Sequence, residues 1–189
     1  MARSLSVASG VVSYEPDELV LRVRAGTHLT EVADVLRSRG QRLRIPMIGT
    51  VGGAIATRRN GIRPSDNSAL PNIVLMLRAT DGVGNEFTAG GPTVKNVSGF
   101  DLVKLLVGSW GTLATITEAT LRTEPIPAAS RWWRGEGAVD ALYRPAVVWH
   151  IGKETLVNIE GHPADVEAQA ALLGGFTEVE APSPEEELA

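Results

Sequence analysis

Five consecutive residues, Gly108-Ser109-Trp110-Gly111-Thr112, combine two glycines with two hydroxyl side chains. Glycines this close together leave the backbone bare, so that it can lie flat against a ligand and offer several backbone N–H groups. The hydroxyls can donate hydrogen bonds to phosphate or ribose oxygens. An ordinary tight turn has the same composition, because glycine-rich turns are common between secondary-structure elements. The residue types alone leave both interpretations open.

A second glycine-rich stretch, IGTVGGAIAT, occupies residues 48–57. Gly52 and Gly53 can bring the backbone close to a ligand, and Thr50 can donate a hydrogen bond. A tight strand-to-helix turn explains these residues equally well. A basic cluster that follows can meet a phosphate or a carboxylate, or can form a solvated loop; it comprises Arg58, Arg59 and Arg63.

The segment around the first turn is more specific than its composition. Residues 94–121, VKNVSGFDLVKLLVGSWGTLATITEATL, resemble the pattern VKNVxGYDLxKLLVGSxGTLGxITExTL of FAD-linked oxidases of the vanillyl-alcohol oxidase type, which carry a PCMH-type FAD-binding domain. Residues 48–57 resemble that family's xTIGGxxAT. The resemblance is greatest to the FAD-binding subunit of bacterial glycolate oxidase.

In that family the Gly-Ser-x-Gly-Thr turn lies against the flavin dinucleotide. The resemblance therefore implies non-covalent FAD, held by Thr50, Gly52, Gly53, Gly108, Ser109, Gly111, Thr112 and Ile116. Ala114 stands where the family usually has glycine, and its methyl group could narrow the approach to the cofactor. His28 does not match the family's flavin-linking loop and is interpreted as a helix-start residue. The resemblance also places Lys95 and Lys104 near the flavin as candidate phosphate ligands, although a Lys–Asp pair such as Lys104 with Asp101 explains them equally well.

Other parts of a complete flavoenzyme are not recognisable. In the family a glycine-rich loop that holds the pyrophosphate lies well upstream of the strand expected at residues 18–25, and this loop is expected to be missing here. The three histidines, His28, His150 and His162, have no metal-site spacing. No catalytic base and no metal ligand are therefore assigned.

The hydrophobic pattern predicts an α+β fold. Strands are expected at residues 18–25, 73–80 and 113–122, and a hairpin turn at Asp81-Gly82. Thr27 is expected to cap a helix that ends at Gly40. Asp101 is expected to cap a short helix that is buried all round.

The resemblance divides the chain into three parts. Residues 1–125 are expected to form a truncated PCMH-type FAD-binding domain. Residues 126–180 are expected to form a short β-β-α remnant of the cap domain, and residues 181–189 a disordered tail. The adjacent Trp132 and Trp133 indicate either a subunit surface or packing of this appendage on the main domain.

Composition limits the class of protein. The chain has 189 residues, of which 43% are hydrophobic, and a formal net charge of −4, which gives no electrostatic reason to expect nucleic acid. No apolar run is long enough to span a bilayer, which indicates a soluble, cytoplasmic protein. Because it has no cysteine, the chain cannot hold an iron–sulfur cluster by thiolates or a cysteinyl flavin.

The resemblance implies an FAD-binding subunit of a glycolate-oxidase-like D-2-hydroxy-acid dehydrogenase, which passes a hydride from a small 2-hydroxy acid to FAD. Its expected partners are a larger flavoprotein subunit and an iron–sulfur subunit. The alternative is a non-catalytic structural subunit that has lost its flavin. A third possibility, the cell-wall enolpyruvyl reductase of the same superfold, ranks last because its substrate-domain signals are not visible.

Overall fold

A computed structural model describes residues 7–62, 69–91 and 100–188. Five antiparallel strands form its first sheet, in the order β1-β2-β6-β4-β5. Their bounds are β1 (Val11–Glu15), β2 (Val20–Arg24), β4 (Val74–Asp81), β5 (Glu86–Gly90) and β6 (Ala114–Arg122). The three strands expected from hydrophobic alternation are confirmed as β2, β4 and β6. The central strand β6 joins β2 to β4, so residues distant in sequence share one core.

Helices pack on this sheet and complete the main hydrophobic core. Their bounds are α1 (Leu29–Arg37), α2 (Val51–Ala56), α3 (Leu70–Ile73) and α4 (Leu102–Leu106). The stripe Leu29, Val32 and Leu36 of α1 is fully buried, as its helical spacing predicts. A short ladder, β3 (Gln41–Arg42) with β7 (Glu124–Pro125), lies beside the first sheet.

Thr27 was expected to cap α1, and this expectation is wrong. The N-cap position belongs to the exposed His28. Thr27 is instead fully buried, and its Oγ1 accepts a hydrogen bond of 2.8 Å from the Gly10 amide. A buried hydroxyl needs a partner, and the nearby loop supplies one where the helix start does not.

The expectation for α4 is half right. Asp101 caps the helix as predicted, since its carboxylate accepts a hydrogen bond from the Lys104 amide at 3.1 Å. The helix is not buried all round, however. Val103 and Leu106 enter the core, whereas Leu105 is 58% exposed. One turn of helix lies on the sheet with one face only, so its other apolar side chains point outward.

A second, four-stranded antiparallel sheet follows, in the order β11-β8-β10-β9. Its elements are β8 (Ala129–Gly135), β9 (Val147–Ile151), β10 (Glu154–Gly161), α5 (Pro163–Ala170) and β11 (Phe176–Val179). The predicted β-β-α elements are β9, β10 and α5. Two strands that sequence analysis missed, β8 and β11, extend them into a sheet, because β10 pairs with β8 over seven residues.

The adjacent tryptophans are both buried, which decides between the two interpretations left open by the sequence. Trp133 packs with the α5 side of the second sheet, against Val157 and Val166. Trp132 packs on the opposite face, where Ile62 of the first part of the chain joins its cluster. Neither tryptophan is a surface anchor. Trp132 instead helps to join the two sheets.

An ion-pair network joins the β3–β7 ladder to the second sheet. Arg42 donates to Glu124 at 2.8 Å and to Glu160 of β10 at 2.5 Å, while Arg44 contacts the same two carboxylates. Burial lowers the pKa of Arg42, but hydrogen bonds and charge from Glu160 and Glu124 outweigh burial and raise that pKa above its usual value. The guanidinium therefore stays charged across the working pH range.

Residues 181–188, expected to be a disordered tail, form a turn in this structure. It ends in a 3-10 helix, Glu186–Leu188. The Ser183 amide donates to Glu186 Oε2 at 2.7 Å, and the Glu187 amide donates to the Ser183 carbonyl at 3.0 Å. The segment lies against Gly61 of the first part of the chain.

Candidate functional site

The two glycine-rich turns lie at opposite ends of α2. Thr50 is the N-cap residue of this helix. At the other end, the amides of Gly108 and Trp110 donate to the carbonyls of Ile55 and Ala56, at 3.0 and 2.9 Å. A helix of six residues spans about 9 Å. The fold therefore brings together two stretches that are more than fifty positions apart in the chain.

The first turn is tightly bonded to the protein. Thr50 Oγ1 accepts a hydrogen bond from the Gly53 amide at 3.2 Å. The Val51 and Gly52 amides donate to the carbonyls of Thr27 and Ala25, at 3.0 and 2.8 Å. Thr50 uses its oxygen as an acceptor in the cap, so its hydroxyl hydrogen is the part that can serve a ligand.

Protein packing accounts for the glycine at position 52. A Cβ placed on Gly52 would lie 2.8 Å from the Ala25 Cβ and 3.1 Å from the Ala25 carbonyl oxygen. The first distance is shorter than real Cβ contacts, and the second is tighter than most of them. A Cβ on Gly53 would lie 3.0 Å from Thr50 Oγ1. The bare backbone of this turn thus lets α2 approach the end of β2.

The second turn has an unusual backbone. Gly108, Trp110 and Gly111 have φ values of +83°, +56° and +70°. Side chains rarely tolerate this left-handed region, so Trp110 is a strained exception. Thr112 closes the turn, because its amide and its hydroxyl both donate to the Ser109 carbonyl, at 3.0 and 2.6 Å.

The expectation of several free amides in this turn is not met. The amides of Gly108 and Trp110 donate to α2, the Ser109 amide to the Leu106 carbonyl, and the Thr112 amide to the Ser109 carbonyl. Within the part of the chain that the structure describes, Gly111 alone among the five has an amide without a protein acceptor. The turn therefore offers a ligand one N–H group.

The two glycines of this turn face different surroundings. A Cβ on Gly108 would lie 3.3 Å from the Cβ of Arg58, whose aliphatic stem covers this position. A Cβ on Gly111 would meet nothing within 4 Å. Beside them the Ser109 Oγ is buried and has no hydrogen-bond partner among the described residues. Gly111 therefore has free space beside its backbone, and Ser109 has a hydroxyl group without a hydrogen-bond partner among the described residues.

The remaining candidate, Ile116, is 7% exposed and packs in the main core, opposite Ala79 of β4. Ala114 also lies in that core, paired with Asp81. Its methyl group therefore fills core space rather than the surface of the turn. Both side chains are therefore core residues in this structure.

An open cavity of about 540 Å³ adjoins the second turn. It is lined by Thr57, Arg58, Arg59, Asn60, Gly61, Trp110, Glu187 and Leu188. The Arg59 Nη1 donates to the Ile48 carbonyl at 2.8 Å, which fixes its guanidinium. Two members of the predicted basic cluster therefore reach the site, while Arg63 lies outside the described residues. This cavity could not be found from sequence spacing, because its walls come from three separate stretches.

The other polar candidates have structural partners. Lys104 Nζ lies 3.2 Å from Asp101 Oδ2. A hydrogen bond from the Lys104 amide, together with the lysine charge, lowers the pKa of the Asp101 carboxyl against a smaller opposing effect of burial. His150 Nδ1 lies 2.9 Å from Thr155 Oγ1, and His162 Nδ1 accepts from the Ala164 amide at 3.3 Å.

The described residues hold no group of three or more His, Cys, Asp or Glu side chains that could bind a metal ion. In the same residues, no helix has both the length and the apolar character needed to cross a membrane. Lys95, a candidate phosphate ligand from the sequence, lies outside the described residues.

Solved structures share this fold. The structure of alkyldihydroxyacetonephosphate synthase superimposes with a TM-score of 0.66 over 86% of the chain and 38% of that protein, at 17% sequence identity. This likeness confirms the predicted fold class. No protein-family model matches the chain.

Curated relatives define the class more closely. The chain is 33% identical over 182 residues to glycolate oxidase subunit GlcE of Escherichia coli (strain K12), covering 88% of the chain and 52% of that protein. It is 50% identical over 76 residues to D-lactate dehydrogenase of Archaeoglobus fulgidus, covering 40% of the chain and 17% of that protein. The chain spans about half the length of GlcE and less of the dehydrogenase.

The chain is a homologue of FAD-linked oxidoreductases. Within that class its homologues are glycolate oxidase subunits and dehydrogenases of D-lactate and D-2-hydroxyglutarate. The resemblance stated from the two glycine-rich motifs is therefore confirmed.

Proposed function

We propose that the chain is an FAD-binding subunit of a glycolate-oxidase-like D-2-hydroxy-acid dehydrogenase that works in the cytoplasm. The observation that supports this most is the match to GlcE, at 33% identity over 182 residues. The convergence of both glycine-rich turns on α2 supports it further, because a cofactor can then touch both.

A few polar atoms of this site can form hydrogen bonds to a bound dinucleotide. The buried and unpartnered Ser109 Oγ can accept or donate one hydrogen bond, and the Gly111 amide can donate another. The open face of Gly111 allows a flat group to approach the backbone. The hydroxyl hydrogen of Thr50 is a further donor. When bound, FAD takes a hydride from the carbon that bears the substrate hydroxyl.

The role of this chain in that reaction is to bind and to orient. No base is assigned: His150 and His162 have hydrogen-bond partners within the protein, and His28 stands at the start of α1. Because the chain has no cysteine, its electrons would leave through an iron–sulfur subunit, and a larger flavoprotein subunit would complete the assembly. GlcE is itself named as a subunit, which supports a multi-subunit arrangement.

The test is the flavin content of the purified chain, with and without a co-expressed larger subunit, measured from the visible flavin absorption. We expect bound flavin, and we expect Gly111→Val to reduce it at least about tenfold by filling the open face. The matched control is Gly152→Val, since Gly152 also has a left-handed backbone (φ +63°) and open space but lies in the β9–β10 turn. A colourless protein in both preparations contradicts the proposal.

The alternative, a structural subunit that has lost its flavin, is favoured by one specific observation. Four of the five amides of the second turn are bonded to protein carbonyls, and Gly52 and Gly108 face protein atoms. Under this alternative Gly111→Val changes only stability, and the chain still assembles with its partner without flavin. Pull-down of the partner together with flavin content separates the two functions.

A further inference from the structure

The cavity beside the second turn holds two of the four non-glycine residues that have left-handed backbone among the described residues. Arg58 has φ +51° and Trp110 has φ +56°. Each such residue costs about 1–3 kcal/mol. Both are held by amide hydrogen bonds to α2, from Arg58 to the Ile55 carbonyl at 3.1 Å and from Trp110 to the Ala56 carbonyl at 2.9 Å. These hydrogen bonds hold an arginine and a tryptophan in the cavity lining despite the backbone strain.

The chemistry of this cavity suits a small anion. Both Arg58 and Arg59 line the cavity; Arg58 is exposed, whereas Arg59 is anchored through Nη1 to the Ile48 carbonyl. A guanidinium binds a carboxylate through paired N–H donors. Trp110, which is 75% exposed, adds a flat apolar wall. The volume of about 540 Å³ admits a small organic acid.

A carboxylate of the chain already lies in this space. Glu187, in the turn that follows Ser183, lines the cavity together with both arginines. A Cβ on Gly61 would lie 2.8 Å from Glu187 Oε2, so the carboxylate rests directly on the cavity floor. The Glu187 amide donates to the Ser183 carbonyl at 3.0 Å, which holds the backbone of this residue beside the cavity.

We propose that this cavity is a carboxylate-binding site for a small 2-hydroxy acid, with Arg58 as the principal binding residue, and that Glu187 occupies it until the ligand displaces it. The identity of the ligand as a 2-hydroxy acid rests on the proposed function. The anion site rests on the cavity, its two arginines and the carboxylate that already lies between its walls.

The experiment uses the full chain without FAD and follows the tryptophan indole signals by NMR while glycolate is added. The Trp110 signal is assigned with Trp110→Phe. We expect glycolate to shift it and glycolamide, which has the same shape without the charge, to leave it unmoved. Arg58→Gln should weaken glycolate binding about tenfold, because a charge-assisted hydrogen bond is lost. The control Arg37→Gln, at an exposed arginine of α1, should bind as wild type.

Glu187→Gln should tighten glycolate binding several-fold, because the competing charge is removed. Unchanged binding in this variant overturns the role of Glu187. Equal binding of glycolate and glycolamide, or full affinity in a folded Arg58→Gln variant, overturns the site. A chain that binds glycolate in this way but never binds flavin rejects the proposed function and leaves the anion site standing, so the two failures are distinguishable.

Discussion

Both glycine-rich turns match family motifs, yet the structure uses their glycines differently. In the first turn, position 52 is glycine because α2 packs closely on Ala25 and leaves no room for a side chain. In the second turn Gly111 is bare at the surface, where nothing lies within 4 Å. The comparison teaches that a matched glycine can mark either a close contact within the protein or a place for a ligand. Only the neighbours distinguish the two.

The largest effect that tests this comparison is expected from Gly52→Val. Its side chain must displace Ala25 or shift α2, so the free energy of unfolding should fall by about 3 kcal/mol. Urea unfolding of the flavin-free chain measures this. Gly82→Val, in open space, is the control and should change stability by only about 0.5 kcal/mol. If both variants lost the same free energy of unfolding, a packing role for Gly52 would be contradicted.

Gly111→Ala is expected to cost less, about 1.5 kcal/mol, because its only penalty is a methyl group on a left-handed backbone. The same unfolding experiment applies. A loss as large as that of Gly52→Val would mean that Gly111 is packed against protein, and the contrast between the turns would disappear.

Ser109→Ala tests the unpartnered hydroxyl of the second turn. It should stabilise the flavin-free chain, whereas the two glycine substitutions should destabilise it. Removing a buried hydroxyl without a partner should raise the free energy of unfolding of the flavin-free chain by about 1 kcal/mol. With FAD present the same change should lower flavin content, since the hydroxyl is then lost as a ligand. A loss of stability without flavin would show that Ser109 has a protein partner.

The smallest effect concerns Asp101, which caps the helix that leads into the second turn. Its pKa is lowered in the folded state, so its contribution is present above the unfolded pKa and disappears as the pH falls through the folded value. Asp101→Asn should cost about 0.3 kcal/mol at neutral pH. The difference from wild type should shrink once the pH falls below the unfolded pKa of about 3.9, and it should vanish below the lower pKa of the folded state. A constant difference in unfolding experiments across pH 2–7 would contradict a charge effect.

Part of the candidate site was predictable from the sequence. The two motifs, the Asp101 cap and the strand β6 follow from local patterns that depend on neighbouring residues in the chain. The cavity around Arg58 and Trp110 was not predictable, because it is assembled from the segment that follows α2, the second turn and the segment near residue 187. The periodicity of residues along the chain does not show which distant segments line the same cavity.

Alternation in β2 and β6, the helical stripe of α1 and the turn at Asp81 determined most elements of the first sheet, because steric periodicity and turn chemistry act between residues close in sequence. Only the tertiary structure decided that Thr27 is buried, that Leu105 faces outward and that Gly52 lies on Ala25. These outcomes depend on contacts between residues far apart in the chain. Such contacts exist only once the sheet has formed and both glycine-rich turns have met α2.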